Sequence, residues 1–340
     1  MKSKITITDI AKEAGVSTAL VSFVMSNKAK GAREYRVSPE TAKRVLEVAA
    51  KYDYQPNGSA RALRSGEYRT IGVILSDISN KFYAEISRQI ENWTFYHDYV
   101  VLFGSSDENP KKLSNVMKVF KNKGVDGMII VPCEGSESAI RQMSDRGMPV
   151  VLLDRDIPGA EFNSVVLNNS KASVIMTETL VGKGFRKIEM ISYKTTLSNI
   201  KDREAGYLKA MEGAGLTDTR IHRPEYCNYG EIEQIVLDAK ARNVEALIFT
   251  TYNMSLMGRK AFISHGLRVP QDCFFACFNN SDAFDLYEPD ILYVKQPIEQ
   301  FAVEAMTLLV KMINEPESAQ SCTKIILQPE VVFSSSEVHV

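Results

Sequence analysis

Residues 54–66 read Tyr-Gln-Pro-Asn-Gly-Ser-Ala-Arg-Ala-Leu-Arg-Ser-Gly, and their reading divides the chain. Pro56 stops the helix ahead of it, because the residue before a proline avoids the α region. Asn57 stands where a new helix would be capped. That helix runs about two turns, to Leu63 or Arg64, too short to persist alone in water. Gly58 weakens it further. The segment is either a plain linker or a helix that forms only when held from outside, which is a switch. A small basic head precedes it, and a long alternation of strands and helices follows.

Charge follows the same division. Residues 1–69 hold 13 Lys and Arg against 7 Asp and Glu, and the rest hold 28 against 35, so the net −1 conceals a basic head on an acidic body. Such asymmetry points to nucleic-acid contact confined to the head. The 340 residues allow two or three domains. The N-terminus lacks the apolar core of a secretory signal, and no apolar run is long enough to span a bilayer, so a cytoplasmic protein is expected. Cys273 and Cys277 fall on one face of a strand and read as buried core thiols, with no metal site. Neither a Gly-x-Ser-x-Gly elbow nor a phosphate-binding loop occurs. No catalytic residues and no cofactor are expected. The alternative is an α/β sugar-processing enzyme, or a solute-binding module, fused to a DNA-binding head.

In the head, Thr6-Ile7-Thr8-Asp9 fits a capping box. The helix it opens turns Ile10, Ala11 and Ala14 inward and ends at Gly15. Ser17 caps a second helix, which turns Leu20, Val21 and Val24 inward. Two short helices joined by a glycine turn make a helix-turn-helix. Ser38-Pro39-Glu40 opens a third helix with a cap, a proline and an acid in its first turn. In such a unit the second helix enters the major groove. Its exposed candidates are Thr18, Ala19 and Phe23, while Ser22, Asn27, Lys28 and Lys30 are candidate phosphate contacts. A protein-docking module is the other reading of a three-helix unit.

The string Ile-Thr-Asp-Ile-Ala-Lys-Glu-Ala-Gly-Val-Ser at 7–17, Val-Ser at 21–22, Tyr-Gln-Pro-Asn at 54–57 and Ala-Arg-Ala-Leu at 60–63 resemble the lactose-repressor (LacI/GalR) family of bacterial transcription regulators. The likeness extends over essentially the whole chain. It implies a homodimer on a pseudo-palindromic duplex operator, read by Ser17, Thr18, Ala19, Ser22, Phe23 and Asn27. It also implies hinge contacts from Asn57, Ala60, Leu63 and Arg64, with Leu63 wedged into the minor groove. Many members carry arginine where this chain has Phe23. Arginine reads guanine bidentately, whereas Phe23 offers only apolar contact, for example to a thymine methyl.

Beyond residue 69, short apolar runs near 70–75, 99–103, 127–131, 149–153, 187–192, 246–250, 274–278 and 291–294 alternate with amphipathic helical patterns. This predicts parallel sheets with helices on both faces, in two doubly wound subdomains. The chain crosses from one to the other near 165–168 and returns near Gln296. The resemblance implies the same core, like a periplasmic sugar-binding protein, with a ligand cleft between two lobes. The expected domains are a helix-turn-helix head over 1–56, a hinge helix and linker over 57–69 and an effector-binding domain over 70–340. The first lobe takes about 70–167 plus 297–322, and the second about 168–296 plus 323–340.

Ligands of doubly wound sheets lie beyond the carboxyl ends of the strands. There stand Asn80, Phe82, Tyr83, Asp154, Arg203, Tyr229, Tyr252, Asn253, Asn279 and Gln296. Aromatics mixed with amides and an arginine suit a polar ring stacked on faces and hydrogen-bonded at its rim. By the resemblance, Arg203 grips the effector, a sugar or sugar derivative. The same resemblance exposes a trend: Asn168, Asn253 and the Asn279-Asn280 pair stand where the family usually has acids. An amide both donates and accepts, whereas a carboxylate only accepts, and the amide repels no anion. The trend predicts an effector that carries negative charge, a sugar acid or a phosphorylated sugar, with a neutral glycan as the alternative.

Overall fold

The structure, a computed structural model, describes residues 5–26, 37–54, 67–279, 291–315 and 322–334. Asn27, the hinge residues Asn57, Ala60, Leu63 and Arg64, and Asn280 lie outside the described residues. The chain divides into two compact units, Met1–Tyr68 and Arg69–Val340.

Among the described residues the first unit holds three helices, α1 (Ile7–Ala14), α2 (Thr18–Ser26) and α3 (Pro39–Lys51). The Thr6 N–H and hydroxyl both donate to Asp9 Oδ2, at 2.9 and 2.7 Å, so the start of α1 is fixed. Gly15, at φ 64°, takes the left-handed turn that ends it. Ser17 Oγ then accepts the Leu20 N–H at 3.2 Å and starts α2. Ile10, Ala11, Ala14, Val21, Val24, Ala42, Val45 and Ala49 form one buried core. Arg44 Nε donates to the Ala14 carbonyl at 2.9 Å, and Lys51 pairs with Glu13 at 2.7 Å, so the middle and the end of α3 are tied to the last turn of α1.

The second unit holds two six-stranded sheets. The first contains β1 (Thr70–Leu75), β2 (Val100–Ser105), β3 (Gly127–Ile130), β4 (Val150–Asp154), β5 (Asn163–Leu167) and β11 (Lys324–Leu327). Their order is β11-β5-β4-β3-β1-β2, all parallel. The helices α4 (Lys81–Tyr96), α5 (Pro110–Asn122), α6 (Glu137–Asp145) and α11 (Ile298–Asn314) belong to this lobe. The second sheet contains β6 (Ile188–Ile191), β7 (Ile221–His222), β8 (Ala246–Phe249), β9 (Phe274–Phe278), β10 (Leu292–Lys295) and β12 (Glu330–Phe333). Its order is β12-β10-β9-β8-β6-β7, with only β12 antiparallel to its neighbour. Its helices are α7 (Asn169–Gly182), α8 (Ser198–Gly213), α9 (Tyr229–Ala241) and α10 (Tyr252–Ser264).

Parallel strands covered on both faces must be apolar throughout. β1, β3 and β9 accordingly bury nearly every side chain. The chain crosses between sheets three times, after β5, after β10 and after β11. The last crossing corrects the sequence reading, which assigned everything from residue 323 to the second lobe. Lys324–Leu327 pairs with Ser164–Leu167 and extends the first sheet, so the chain crosses only beyond Leu327. The strand escapes detection because it is an edge strand with exposed Lys324 and Ile326, and so lacks a buried apolar run. No helix among the described residues is long and apolar enough to cross a membrane.

Candidate functional site

In the head, the first turn of α2 presents Ser17, Thr18 and Ala19 outward. One turn on, Phe23 is 40% exposed although apolar, while Val21 and Val24 beside it are fully buried. Ser22 is half-buried. The exposed face of α2 is thus short, weakly polar and topped by an aromatic ring.

In the second unit, a cavity of about 370 Å³ opens between the two lobes, at the carboxyl ends of strands from both sheets. Its first-lobe wall starts at Asn80, whose Oδ1 caps α4 by accepting the Phe82 N–H at 3.1 Å. The α4 turn carries Phe82 and Tyr83 to the wall. Phe82 packs edge-on against Tyr83 and Phe301, with ring centroids at 5.0 and 5.9 Å, so most of it is core. The Tyr83 hydroxyl donates to Asp154 Oδ2 at 2.9 Å, and burial pushes that phenol well above its ordinary pKa. Asp154 ends β4 in the left-handed region, at φ 65°, which turns its carboxyl toward Tyr83 and Asn199. Beside it, Arg155 is clamped by Glu108, its Nη1 and Nη2 donating to the two carboxylate oxygens at 2.9 and 2.8 Å.

The second-lobe wall centres on Arg203 in α8. Its Nε donates to Asn169 Oδ1 at 2.7 Å and its Nη1 to the Thr250 carbonyl at 2.5 Å. The guanidinium lies 4.0 Å over the Phe278 ring. Burial pulls its pKa down to about 10, as expected of a cation removed from water. Tyr252 enters the wall from the start of α10. Asn279, at φ 70°, and Gln296 meet where Gln296 Nε2 donates to Asn279 Oδ1 at 2.5 Å. Asp154 Oδ1 and Gln296 Oε1 are buried acceptors with no donor among the described residues. Buried polar atoms are nearly always paired, so this cavity is built to take donors from elsewhere.

Two expected residues are turned away from the cavity. The Tyr229 hydroxyl donates to Glu233 at 3.0 Å, and its ring lies 4.5 Å under Lys260, so it packs between α9 and α10. It is the first residue of α9, and the helix direction carries it off the wall. Asn253 is half-buried and reaches the site only indirectly, its Nδ2 donating to the Tyr226 hydroxyl at 3.2 Å. Tyr226 supplies the aromatic instead, with Tyr193 at 4.7 Å between centroids. Tyr193, Asn199, Asp107 and Glu108 also line the cavity and escaped the sequence reading. Each follows a strand end, so the strand-end rule reaches them once β2 and β6 are bounded correctly. Asn168, one of the amides replacing family acids, caps α7 by accepting the Lys171 N–H, away from the main cavity.

The lobes also touch across the cavity mouth. Glu134 Oε1, in the loop after β3, accepts the Thr195 hydroxyl at 2.6 Å, the Thr196 hydroxyl at 3.0 Å and the Thr196 N–H.

Comparison with known proteins agrees with both units. Residues 6–57 match the family described as bacterial regulatory proteins, lacI family. Residues 68–255 match periplasmic binding proteins and sugar binding domain of LacI family, and residues 177–336 match a periplasmic binding protein-like domain. The transcriptional regulator RegA of Clostridium saccharobutylicum is 30% identical, covering 98% of this chain and 99% of its own. Catabolite control protein A of Priestia megaterium is 30% identical over 92% of this chain and 93% of its own. The solved structure of the Lac repressor bound to ONPG in its repressed state superposes with a TM-score of 0.82 at 19% identity, over 98% of this chain and all of that one, a likeness of fold. The chain belongs to the lacI family of bacterial regulatory proteins and is a DNA-binding transcriptional regulator.

Proposed function

We propose that this regulator is a repressor that reads its operator through Ser17, Thr18, Ala19, Ser22 and Phe23, and that a small polyhydroxylated effector between the lobes controls it. Asn27, Asn57, Ala60, Leu63 and Arg64 complete the proposed DNA contacts from the sequence alone. The observation that carries the effector assignment is the pair of orphaned acceptors, Asp154 Oδ1 and Gln296 Oε1, in a cavity shared with Arg203. A ligand rich in hydroxyls satisfies both, and Tyr193, Tyr226, Phe82 and Tyr83 offer ring faces to its apolar side.

The mechanism is linkage. An effector that touches both walls favours one lobe orientation. In a homodimer that orientation sets the distance between the two hinge segments, and so whether they fold into the minor groove. Coupling of this kind is reciprocal, so operator must change effector affinity by the same factor. The protein works in the cytoplasm and releases its effector chemically unchanged.

Operator capture on genomic DNA, followed by titration at several salt concentrations, tests the reading. Specific duplex binding should weaken steeply with salt, as displaced counterions require. Arg203→Gln and Asp154→Asn should abolish the effector's influence while leaving operator affinity intact. Effector control that survives both substitutions would put the site elsewhere. Conversion of a bound sugar into another compound would favour the enzyme alternative.

A further inference from the structure

The cavity is electrically polarised. Among the described residues, its lining carboxylates, Asp77, Asp107, Glu108 and Asp154, all come from the first lobe, and the second-lobe lining includes none. On the first lobe the buried charges nearly balance. Glu108 grips Arg155 bidentately, and Asp154 Oδ2 lies 3.6 Å from Arg155 Nε, leaving one surplus negative charge. On the second lobe Arg203 is 3% exposed and has no carboxylate within ion-pair distance among the described residues. Its partners are an amide oxygen, a backbone carbonyl and a ring face.

A guanidinium carries five N–H donors, and the protein occupies only some of them here. Burial of a cation with no carboxylate in contact is costly, and desolvation pulls the Arg203 pKa down although Asp154 acts in the opposite direction. Asp154 Oδ1 on the first lobe and Gln296 Oε1 on the second await donors among the described residues, and Arg155 Nε on the first lobe awaits an acceptor. The cavity therefore asks for an anionic acceptor at Arg203 and for hydroxyl donors at Asp154 and Gln296.

We infer that the effector is a polyhydroxylated monocarboxylate, a sugar acid, with its carboxylate on Arg203 and hydroxyls on Asp154 Oδ1 and Gln296 Oε1. The inference rests on the reading of this cavity as the effector site. Magnitude separates the sugar acid from its relatives. A carboxylate brings one negative charge and matches Arg203. A phosphate monoester brings about −1.5 to −2 at neutral pH, more than the single uncompensated cation can offset, and it faces an acidic wall. A neutral sugar leaves Arg203 with only neutral acceptors. Asn279 acts in the same direction, because an amide there adds no carboxylate to the described second-lobe wall.

Calorimetric titration of the full-length protein with matched trios tests this: an aldose, the corresponding uronic or aldonic acid, and the aldose phosphate, in several stereochemical series. At least one acid should bind about 10- to 100-fold more tightly than its neutral partner, the range of a hydrogen bond to a charged group, and more tightly than its phosphate. Asn279→Asp, a mild change at the cavity wall, should cut the preference for the acid at least tenfold; an undiminished preference would remove the charge argument. A neutral sugar or a phosphate binding as tightly as the acid overturns the inference, and so does failure of every acid to bind. Sugar binding unmoved by both Arg203→Gln and Asp154→Asn instead overturns the cavity as the effector site.

Discussion

At the scale of single residues, two side chains depart from what their surroundings lead one to expect. Phe23 is an exposed aromatic on the outward face of α2, the proposed recognition helix. As the proposed apolar reader it would distinguish a thymine methyl and little else. Changing the contacted base pair should cost the native protein about 1–3 kcal/mol. Phe23→Ala should flatten that penalty while sparing the rest of the half-site, a comparison that anisotropy titration of single-base operator variants resolves. Equal discrimination by both proteins would remove Phe23 from the reading surface. Glu189 is the second case, a buried carboxylate on β6 bonded by His222 Nε2 at 2.6 Å and Arg242 Nη2 at 2.7 Å. Burial alone would raise its pKa, but those two partners outweigh burial and hold it below the ordinary glutamate value. Because the folded pKa is depressed, its stabilisation is complete above the unfolded value near about 4.3 and is lost as pH falls through the lowered one. Glu189→Gln leaves Arg242 and His222 facing a neutral amide and should cost about 3 kcal/mol at pH 7. In urea unfolding the gap between variant and native protein should narrow below about pH 4. A gap that stays constant down to pH 3 would contradict this assignment.

At the scale of elements, what the sequence made legible follows burial. β1 and β9 are continuous apolar runs covered on both faces, and their limits read off directly. α4 was equally plain, because its buried positions Phe82, Tyr83, Ile86 and Ile90 repeat at helical spacing. β7 and β12, short strands at the ends of their sheet, and the edge strand β11 carry no such signal. β5 was read only as a crossing point, since Asn163-Ser164 opens it with polar residues despite full burial. The site divides in the same way. Arg203, Asp154 and Gln296 were reachable from strand ends, but whether Tyr226 or Tyr229 faces the cavity depends on where α9 begins, and spacing does not fix that. Helix crossing is similarly hidden. Gly206 in α8 lies so close to α7 that an added Cβ would meet the Ser170 carbonyl oxygen and come within 2.8 Å of Ser173 Cβ. Backbone cannot yield as a side-chain tip does. Gly206→Ala should therefore cost about 1–3 kcal/mol and lower the melting midpoint by several degrees. Arg203 lies one turn earlier on the same helix, so effector affinity should fall with it. A variant with native melting and native affinity would mean the helices part without penalty.

At the scale of the whole molecule, assembly and closure decide function. Phe95 and Tyr96 at the end of α4 are 79% and 80% exposed, and Val100 opens the edge strand β2 at 61%. A strand edge beside bare aromatics is a surface that proteins cover, and a second copy is the proposed cover. Tyr96→Asp should yield monomers in sedimentation and lose cooperative binding to both half-sites; a dimer that survives would place the interface elsewhere. Closure within each protomer rests on the Glu134 clamp. The Thr195 hydroxyl and the Thr196 N–H hold this carboxyl below its ordinary pKa. With the folded value depressed, the clamp is complete above about pH 4.3 and weakens only as pH falls through the lowered value, so it is fully engaged near neutrality. It joins the lobes without using any atom of the cavity wall. An effector that bridges Asp154 and Arg203 also needs the lobes closed, so clamp and effector favour the same arrangement. Removing the clamp leaves closure to the effector and to the remaining cross-lobe bonds, Ser198 Oγ to the Asp156 carbonyl and Asn199 Nδ2 to Asp154 Oδ2. Glu134 is exposed, so the loss is modest, within the roughly 0.2–1 kcal/mol of surface pairs. Glu134→Ala should thus weaken effector binding by up to about fivefold, so that correspondingly more effector is needed to change operator binding. Small-angle scattering of the ligand-free variant should register a larger radius of gyration than the native protein. Native affinity together with a native radius would mean that the lobes stay closed by their cores alone.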